Sequence, residues 1–179
     1  MIVFIGMLFS CENNKELVKD LAGEKKVLPV ESASDIEIIY SDGGVVRMKL
    51  NAPVLERYLG NEPYIEFSQG VQVLFYDSLK QPESKLTSKY AINHEFKKIM
   101  EAKRDVVVIN EKGEVLNTEH LIWDQQKETI HTNEFVKITT ADEIIMGEGM
   151  EADQHFTRYK IKNITGTINI KNDEDNTNP

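Results

Sequence analysis

The sequence contains few of the residues that proteins use for covalent or metal cross-links. Its 179 residues include one cysteine, four histidines and one tryptophan. A single cysteine cannot form an internal disulfide, so burial of apolar side chains has to hold the fold together. The histidines lack ligand spacing such as His-x-x-x-His, and no second cysteine can join them at a zinc ion. No disulfide scaffold, metal site or cofactor is therefore expected.

A basic surplus and a long apolar run are also missing. The chain carries 21 Lys and Arg against 30 Asp and Glu, a formal net charge of −9. An acidic balance argues against nucleic acid as the partner, because phosphate binding needs a basic face. No run reaches the roughly 18–20 apolar residues that span a bilayer. No Gly-x-Ser-x-Gly elbow or phosphate loop is present, so we expect a single domain without enzymatic activity.

The N-terminus has the pattern of a bacterial lipoprotein signal. Residues 1–9 are uncharged and apolar apart from Gly6, and the sequence Leu8-Phe9-Ser10-Cys11 follows the spacing of a lipobox. In such a signal the cysteine is acylated and becomes the mature N-terminus. Residues 1–10 are thus interpreted as the remnant of a signal peptide, and residues 11–35 as a lipidated, polar tether. The alternative is a buried strand in which Cys11 is an inert small residue.

From residue 36 to residue 170 the pattern is typical of β-strands. Apolar side chains occupy every second position around Met48 and again around Val73, and all five prolines fall outside these runs. A shift of 30 residues places Val106 on Val136, and Val108 on Ile138 and then Ile168. The same shift places residues 94–98 on a polar turn, which argues against a helix there. The acidic residues 171–179 are expected to form a disordered tail.

Each repeat is too small to bury its own apolar face, so the repeats have to stack. The pattern predicts an all-β fold of two facing antiparallel sheets, either a sandwich or an incompletely closed jellyroll. Trp123 is interpreted as an inward-packed core residue, with ligand contact as the alternative.

Several segments resemble the LptC family of lipopolysaccharide-export proteins, in the lipoprotein form found in Bacteroidetes. The resemblance covers residues 36–170 and rests on the order and spacing of Leu50-Asn51-Ala52-Pro53, Tyr64-Ile65-Glu66-Phe67-Ser68-Gln69-Gly70-Val71, Asp105-Val106-Val107-Val108-Ile109-Asn110 and Leu116-Asn117-Thr118-Glu119-His120-Leu121-Ile122-Trp123-Asp124, after the lipobox. It implies an antiparallel β-jellyroll similar to LptA and OstA, with an apolar groove between the sheets.

The resemblance also implies a pathway. Such a protein receives lipopolysaccharide from an inner-membrane ABC transporter and passes it to a homologous LptA-like periplasmic bridge protein. Strands near residues 36–50 would face the transporter and those near residues 161–170 the bridge. The expected location is the periplasmic face of the inner membrane, with Cys11 as the lipid anchor. The alternative is a lipid-anchored β-sandwich that binds other proteins and has no lipid groove.

Apolar side chains predicted to point inward are the candidates for contact with lipid A acyl chains. The sequence alone does not separate groove residues from packed core. The candidates are Val46, Met48, Leu50, Phe67, Val71, Val73, Phe75, Val106, Val108, Leu121, Ile130, Val136, Ile138 and Ile168.

Overall fold

The computed structural model describes residues 28–170, and within them all regular structure is β. Eleven strands follow one another: β1 (Glu31–Asp42), β2 (Val45–Tyr58), β3 (Tyr64–Phe67), β4 (Val71–Tyr76), β5 (Pro82–Ser88), β6 (Tyr90–His94), β7 (Ile99–Asn110), β8 (Val115–Asp124), β9 (Thr129–Thr139), β10 (Glu143–Asp153) and β11 (Tyr159–Asn169). The predicted all-β class is confirmed. In place of a helix over residues 94–100, β6 ends at His94 and β7 begins at Ile99.

The strands form an antiparallel meander in which a strand pairs with the next or the next but one along the chain, and β3 also pairs with β6. β3 and β4 lie end to end beside β2, and β5 and β6 lie end to end beside β7. β1 pairs with β2, and the order on the other side is β7, β8, β9, β10 and β11. Among the described strands, β1 and β11 have one neighbour each, so the jellyroll is incompletely closed.

Each long strand is interrupted near its middle and passes there from one layer of the jellyroll to the other. In β7 the register breaks between Lys103 and Val106, and Arg104 and Asp105 have positive φ angles. The β3–β4 bend needs Gly70, because its φ is +90° and a Cβ there would lie 2.4 Å from the Ser88 carbonyl oxygen. The two layers are therefore continuous with each other at the mid-strand bends, and they are separate from each other on the side where the turns lie.

Paired residues place one row of mostly apolar side chains on the inner face of each layer. In the first layer, which contains β4 and β5, the row is Leu50, Val73, Leu86, Val108, Leu116, Ile138, Ile145 and Thr167. In the second layer, which contains β3 and β6, it is Ile65, Asn93, Met100, Trp123, Ile130, Ala152 and Tyr159. These rows face each other and bury most of the core between them.

Two sequence expectations differ from the structure at the ends of the sheet. Residues 31–35, assigned to the tether, belong to β1, because Glu31 to Ser34 pair with Val54 to Arg57. Ile168 was expected to point inward, but its side chain is 53% exposed. Ile138 pairs with Ile145 and Ile145 with Thr167, so the inward row reaches Thr167 and leaves Ile168 on the opposite face.

Residues 1–27 and 171–179, with the signal-peptide remnant, Cys11, most of the tether and the acidic tail, lie outside the described residues. Within residues 28–170, no helix is long and apolar enough to cross a membrane.

Candidate functional site

A groove of about 760 Å³ opens between the two layers on the side of the turns. Its inner wall is apolar and is formed by Ile38, Met48, Leu50, Ile65, Phe67, Phe75, Met100 and Trp123. Its rim is polar and is formed by Tyr40, Asp42, Arg47, Asn93, Lys98, Gln125, Gln126, Glu128, Gln154 and His155. Such a cavity suits an amphiphile whose apolar part is buried and whose polar part stays in water.

The groove lies in the N-terminal half of the jellyroll. Its wall residues come from β1 to β4 and from β7 and β8. At its inner end Phe75 contacts Trp123 edge-on, with ring centroids 5.5 Å apart, and His155 lies beside Phe75 at 6.4 Å. Phe75 belongs to the first layer and Trp123 to the second, so these two rings, with His155 beside them, together bound the inner end of the groove.

The candidate residues from the sequence divide into four groups in the structure. Those on the groove wall are Met48, Leu50, Phe67 and Phe75. Those buried in the core away from the groove wall are Val71, Val73, Val106, Val108, Leu121, Ile130, Val136 and Ile138. Val46 is half-buried near the β1–β2 turn and is not part of the wall. Ile168 is on the outer face, as described above.

Four further wall residues were not among the candidates: Ile38, Ile65, Met100 and Trp123. Ile65 and Met100 occupy the same inward row as Trp123, so strand alternation alone could have included them. Trp123 is half-buried, and its indole N–H has no hydrogen-bond partner among the described residues. It therefore contacts both the core and the open groove.

The outer face of the second layer carries a compact ionic cluster around Glu101. Its Oε1 accepts a hydrogen bond from Nε2 of His94 at 2.8 Å, and its Oε2 lies 2.9 Å from Nε2 of His120 and 2.8 Å from Nζ of Lys103. Burial by itself raises the pKa of the Glu101 carboxyl, but the hydrogen bonds from Lys103, His94 and His120 outweigh burial and lower its pKa to about 2. Across residues 28–170, no group of His, Cys, Asp and Glu side chains is arranged to hold a metal ion.

The substitution Glu101→Gln is expected to change how the free energy of unfolding depends on pH. A carboxyl whose pKa falls from 4.5 to about 2 on folding stabilises the protein fully above pH 4.5, and that contribution disappears as the pH falls toward 2. The free energy of unfolding of the wild type should therefore decrease more steeply over this range than that of the variant. Urea unfolding at a series of pH values measures both curves, and parallel curves would show that the cluster does not hold the carboxylate ionised.

A family model described as lipopolysaccharide-assembly, LptC-related, matches residues 1–170 of the 179. The chain belongs to the LptC family. The suggested resemblance is thereby confirmed, and the family assigns the chain a role in lipopolysaccharide transport. LptC proteins are non-enzymatic components of that transport. No curated protein matches the chain.

Proposed function

We propose that this LptC-family protein receives lipopolysaccharide from an inner-membrane ABC transporter and passes it along the groove to a homologous LptA-like periplasmic bridge protein. The observation that carries the proposal is the apolar groove of about 760 Å³, open on one side, in a member of a lipopolysaccharide-transport family.

The chemistry of the groove suits a lipid with several acyl chains and a large sugar headgroup. Each buried methylene group contributes about 0.8 kcal/mol, so acyl chains cross water only when they are shielded. Wall residues such as Met48 and Phe67 make non-directional contacts, which allow a chain to slide. The rim carries both positive charges, on Arg47 and Lys98, and negative charges, on Asp42 and Glu128. The polar headgroup of a bound lipid would stay in contact with water at this rim.

The two free edges of the sheet support end-to-end assembly with partner proteins. β1 and β11 each pair on one side, and their unpaired side offers backbone groups to a strand of another protein. Exposed apolar side chains accompany both edges: Ile39 and Tyr40 on β1, and Ile164 and Ile168 on β11. We assign the β1 edge to the transporter and the β11 edge to the bridge protein.

We further propose that Cys11 carries the lipid that holds the protein at the periplasmic face of the inner membrane. Replacing this only cysteine by alanine is expected to abolish acylation, since no other thiol is available. Incorporation of radiolabelled fatty acid, followed by membrane fractionation, measures the effect. Labelling of Cys11→Ala at the wild-type level would show that the lipobox has been misassigned.

In-cell photocrosslinking tests the transfer function. A photoreactive residue at Met48 or Trp123, both on the groove wall, should yield adducts with lipopolysaccharide. The same residue at Ile39 serves as the control, because Ile39 is not part of the wall and its side chain is exposed. Adducts at the wall positions alone support transport through the groove. Adducts only with protein would overturn it in favour of a scaffold that binds other proteins.

A further inference from the structure

The turn between β10 and β11 folds into the molecule, unlike its counterparts along the same side. The β6–β7 and β8–β9 turns link His94 with Ile99 and Asp124 with Thr129, and residues 96–98 and 126–128 in these turns are exposed. Phe96, at the tip of the first of these turns, is 75% exposed. The β10–β11 turn is longer, and its Phe156 is 0% exposed. An aromatic turn residue thus points into the core in one turn and into solvent in the other.

Phe156 joins the two layers at the point where the groove ends. Its ring stacks on Tyr159, with centroids 5.1 Å apart, and its carbonyl oxygen accepts a hydrogen bond of 3.2 Å from Nδ2 of Asn110 at the end of β7. Tyr159 lies in the second layer and Asn110 in the first. The φ of Phe156 is +57°, an unfavourable value for a side chain of this size, which its burial and packing have to offset.

The turn is held together internally by one carboxylate. Asp153 accepts hydrogen bonds from the backbone N–H groups of Thr157 and Arg158, at 3.0 and 2.8 Å, and from the Thr157 hydroxyl at 2.7 Å. Its links to the opposite layer are fewer. Besides the bond from Asn110, Nδ1 of His155 lies 2.8 Å from Oε2 of Glu83, close enough for an ion pair but not aligned for a hydrogen bond. The hydrogen bonds within the turn thus outnumber those to the opposite layer.

The position of this turn separates the open groove from the packed half of the jellyroll. Gln154 and His155 line the groove, whereas Phe156 is not part of the lining and belongs to the same buried core cluster as Leu116 and Ile138. Beyond these side chains lies β11, the free edge. We propose that the segment Asp153–Arg158, with Phe156 as its plug, is a movable end wall that limits how far an acyl chain enters the groove and withdraws when lipid moves toward β11. This inference rests on the proposed transport function.

Withdrawal of the wall leaves most of the fold in place. It breaks the hydrogen bond from Asn110, the contact with Glu83 and the 3.0 Å backbone hydrogen bond from the Gln154 N–H to the Glu128 carbonyl oxygen, and it removes the Phe156 ring from the core. The backbone pairing of β10 with β11 runs from Glu143 to Ala152 and does not include the turn, and Asp153 at the base of the turn keeps its pairing with Thr129 on β9. The β11 edge can thus keep its shape while the space behind the wall opens.

The binding of a homologous series of saturated fatty acids tests the wall. Affinity should rise about fourfold per added methylene until the groove is full and then level off. Trp123, the only tryptophan, reports occupancy through its fluorescence. In Phe156→Ala the affinity should go on rising to longer chains than in the wild type. Phe96→Ala, which removes the same ring from an exposed turn, should level off where the wild type does.

The outcomes of this titration separate the two proposals. If the affinity levels off at the same chain length in wild type and Phe156→Ala, the end-wall proposal is wrong, and the proposal of a lipid-binding groove is unaffected. No binding of any fatty acid to the wild type contradicts the transport function itself.

Hydrogen–deuterium exchange on the wild-type protein gives a second test, needed because Phe156→Ala removes a buried ring and can impair folding. Fatty acids longer than the plateau length should speed amide exchange in residues 153–158 and leave the Glu95–Lys98 turn unchanged. Unchanged or slower exchange in residues 153–158 would overturn the movable wall.

Discussion

Val136→Asp is expected to prevent folding. The Val136 side chain is 0% exposed, and Val136 pairs with Thr118 on β8 and Gly147 on β10, so it lies inside the sheet and not at an edge. A carboxylate at this position is buried without a cationic partner, which costs at least several kcal/mol. Since a domain of this size is stable by only about 5–15 kcal/mol, the loss should remove most of the folded population. Circular dichroism and thermal unfolding of the purified variant measure it.

Lys137→Asp is the matched control for this substitution. Lys137 is the next residue on β9, and its side chain is exposed, so the same new carboxylate stays in water. This variant should unfold within a few degrees of the wild type. If Val136→Asp instead melted at the wild-type temperature, the interior of the C-terminal half would have to be open. Loss of export in Val136→Asp accordingly reports on folding and not on the groove.

The Met48→Asp variant is expected to fold but to bind lipid more weakly than the wild type. Met48 is half-buried on the groove wall, where a carboxylate keeps access to water through the open side. An acyl chain that entered would bury the carboxylate against apolar groups, so its affinity should fall at least about tenfold. Fatty-acid titration monitored by Trp123 fluorescence gives the affinity, and a growth assay for lipopolysaccharide export gives the effect in cells.

Ile39→Asp provides the comparison for Met48→Asp. Ile39 is 55% exposed and pairs with Lys49 on the face opposite the groove. A carboxylate at position 39 therefore contacts water and not bound lipid. Its affinity for fatty acid should equal that of the wild type. Equal losses in both variants would point to a general effect of added negative charge, and no loss in either would argue that chains do not contact the β2 wall.

The all-β fold and the open jellyroll could be predicted because strand alternation and the 30-residue repeat are local properties of the chain. β7, β9 and β11 begin at Ile99, Thr129 and Tyr159, as that spacing requires. Alternation also identified side chains that point inward, such as Leu50 and Val108. It could not tell the groove from the core, because that difference depends on the separation of the layers, which no single strand encodes.

The prediction that Ile168 points inward was wrong because the inward residues of the last two strands do not keep the 30-residue spacing of the repeat. The offset begins on β10, where Ile145 and Ala152 continue the inward rows 29 residues after Leu116 and Trp123, because the β9–β10 turn (140–142) is one residue shorter than the β7–β8 turn (111–114). A shift of one residue transfers a side chain to the other face of a sheet. The β10–β11 turn departs from its counterparts as well, since Phe156 is buried whereas Phe96 is exposed. Sequence spacing thus identified the architecture, and the structure was needed to find where the repeat changes.

The meander has a consequence for how the chain reaches its native state. Since most strands hydrogen-bond to the next strand or the next but one along the chain, ordering can spread from one hairpin to its neighbours. It also makes the architecture extensible. Duplication of one 30-residue unit would add two strands to the sheet and lengthen the groove. No chain connection would have to cross the groove.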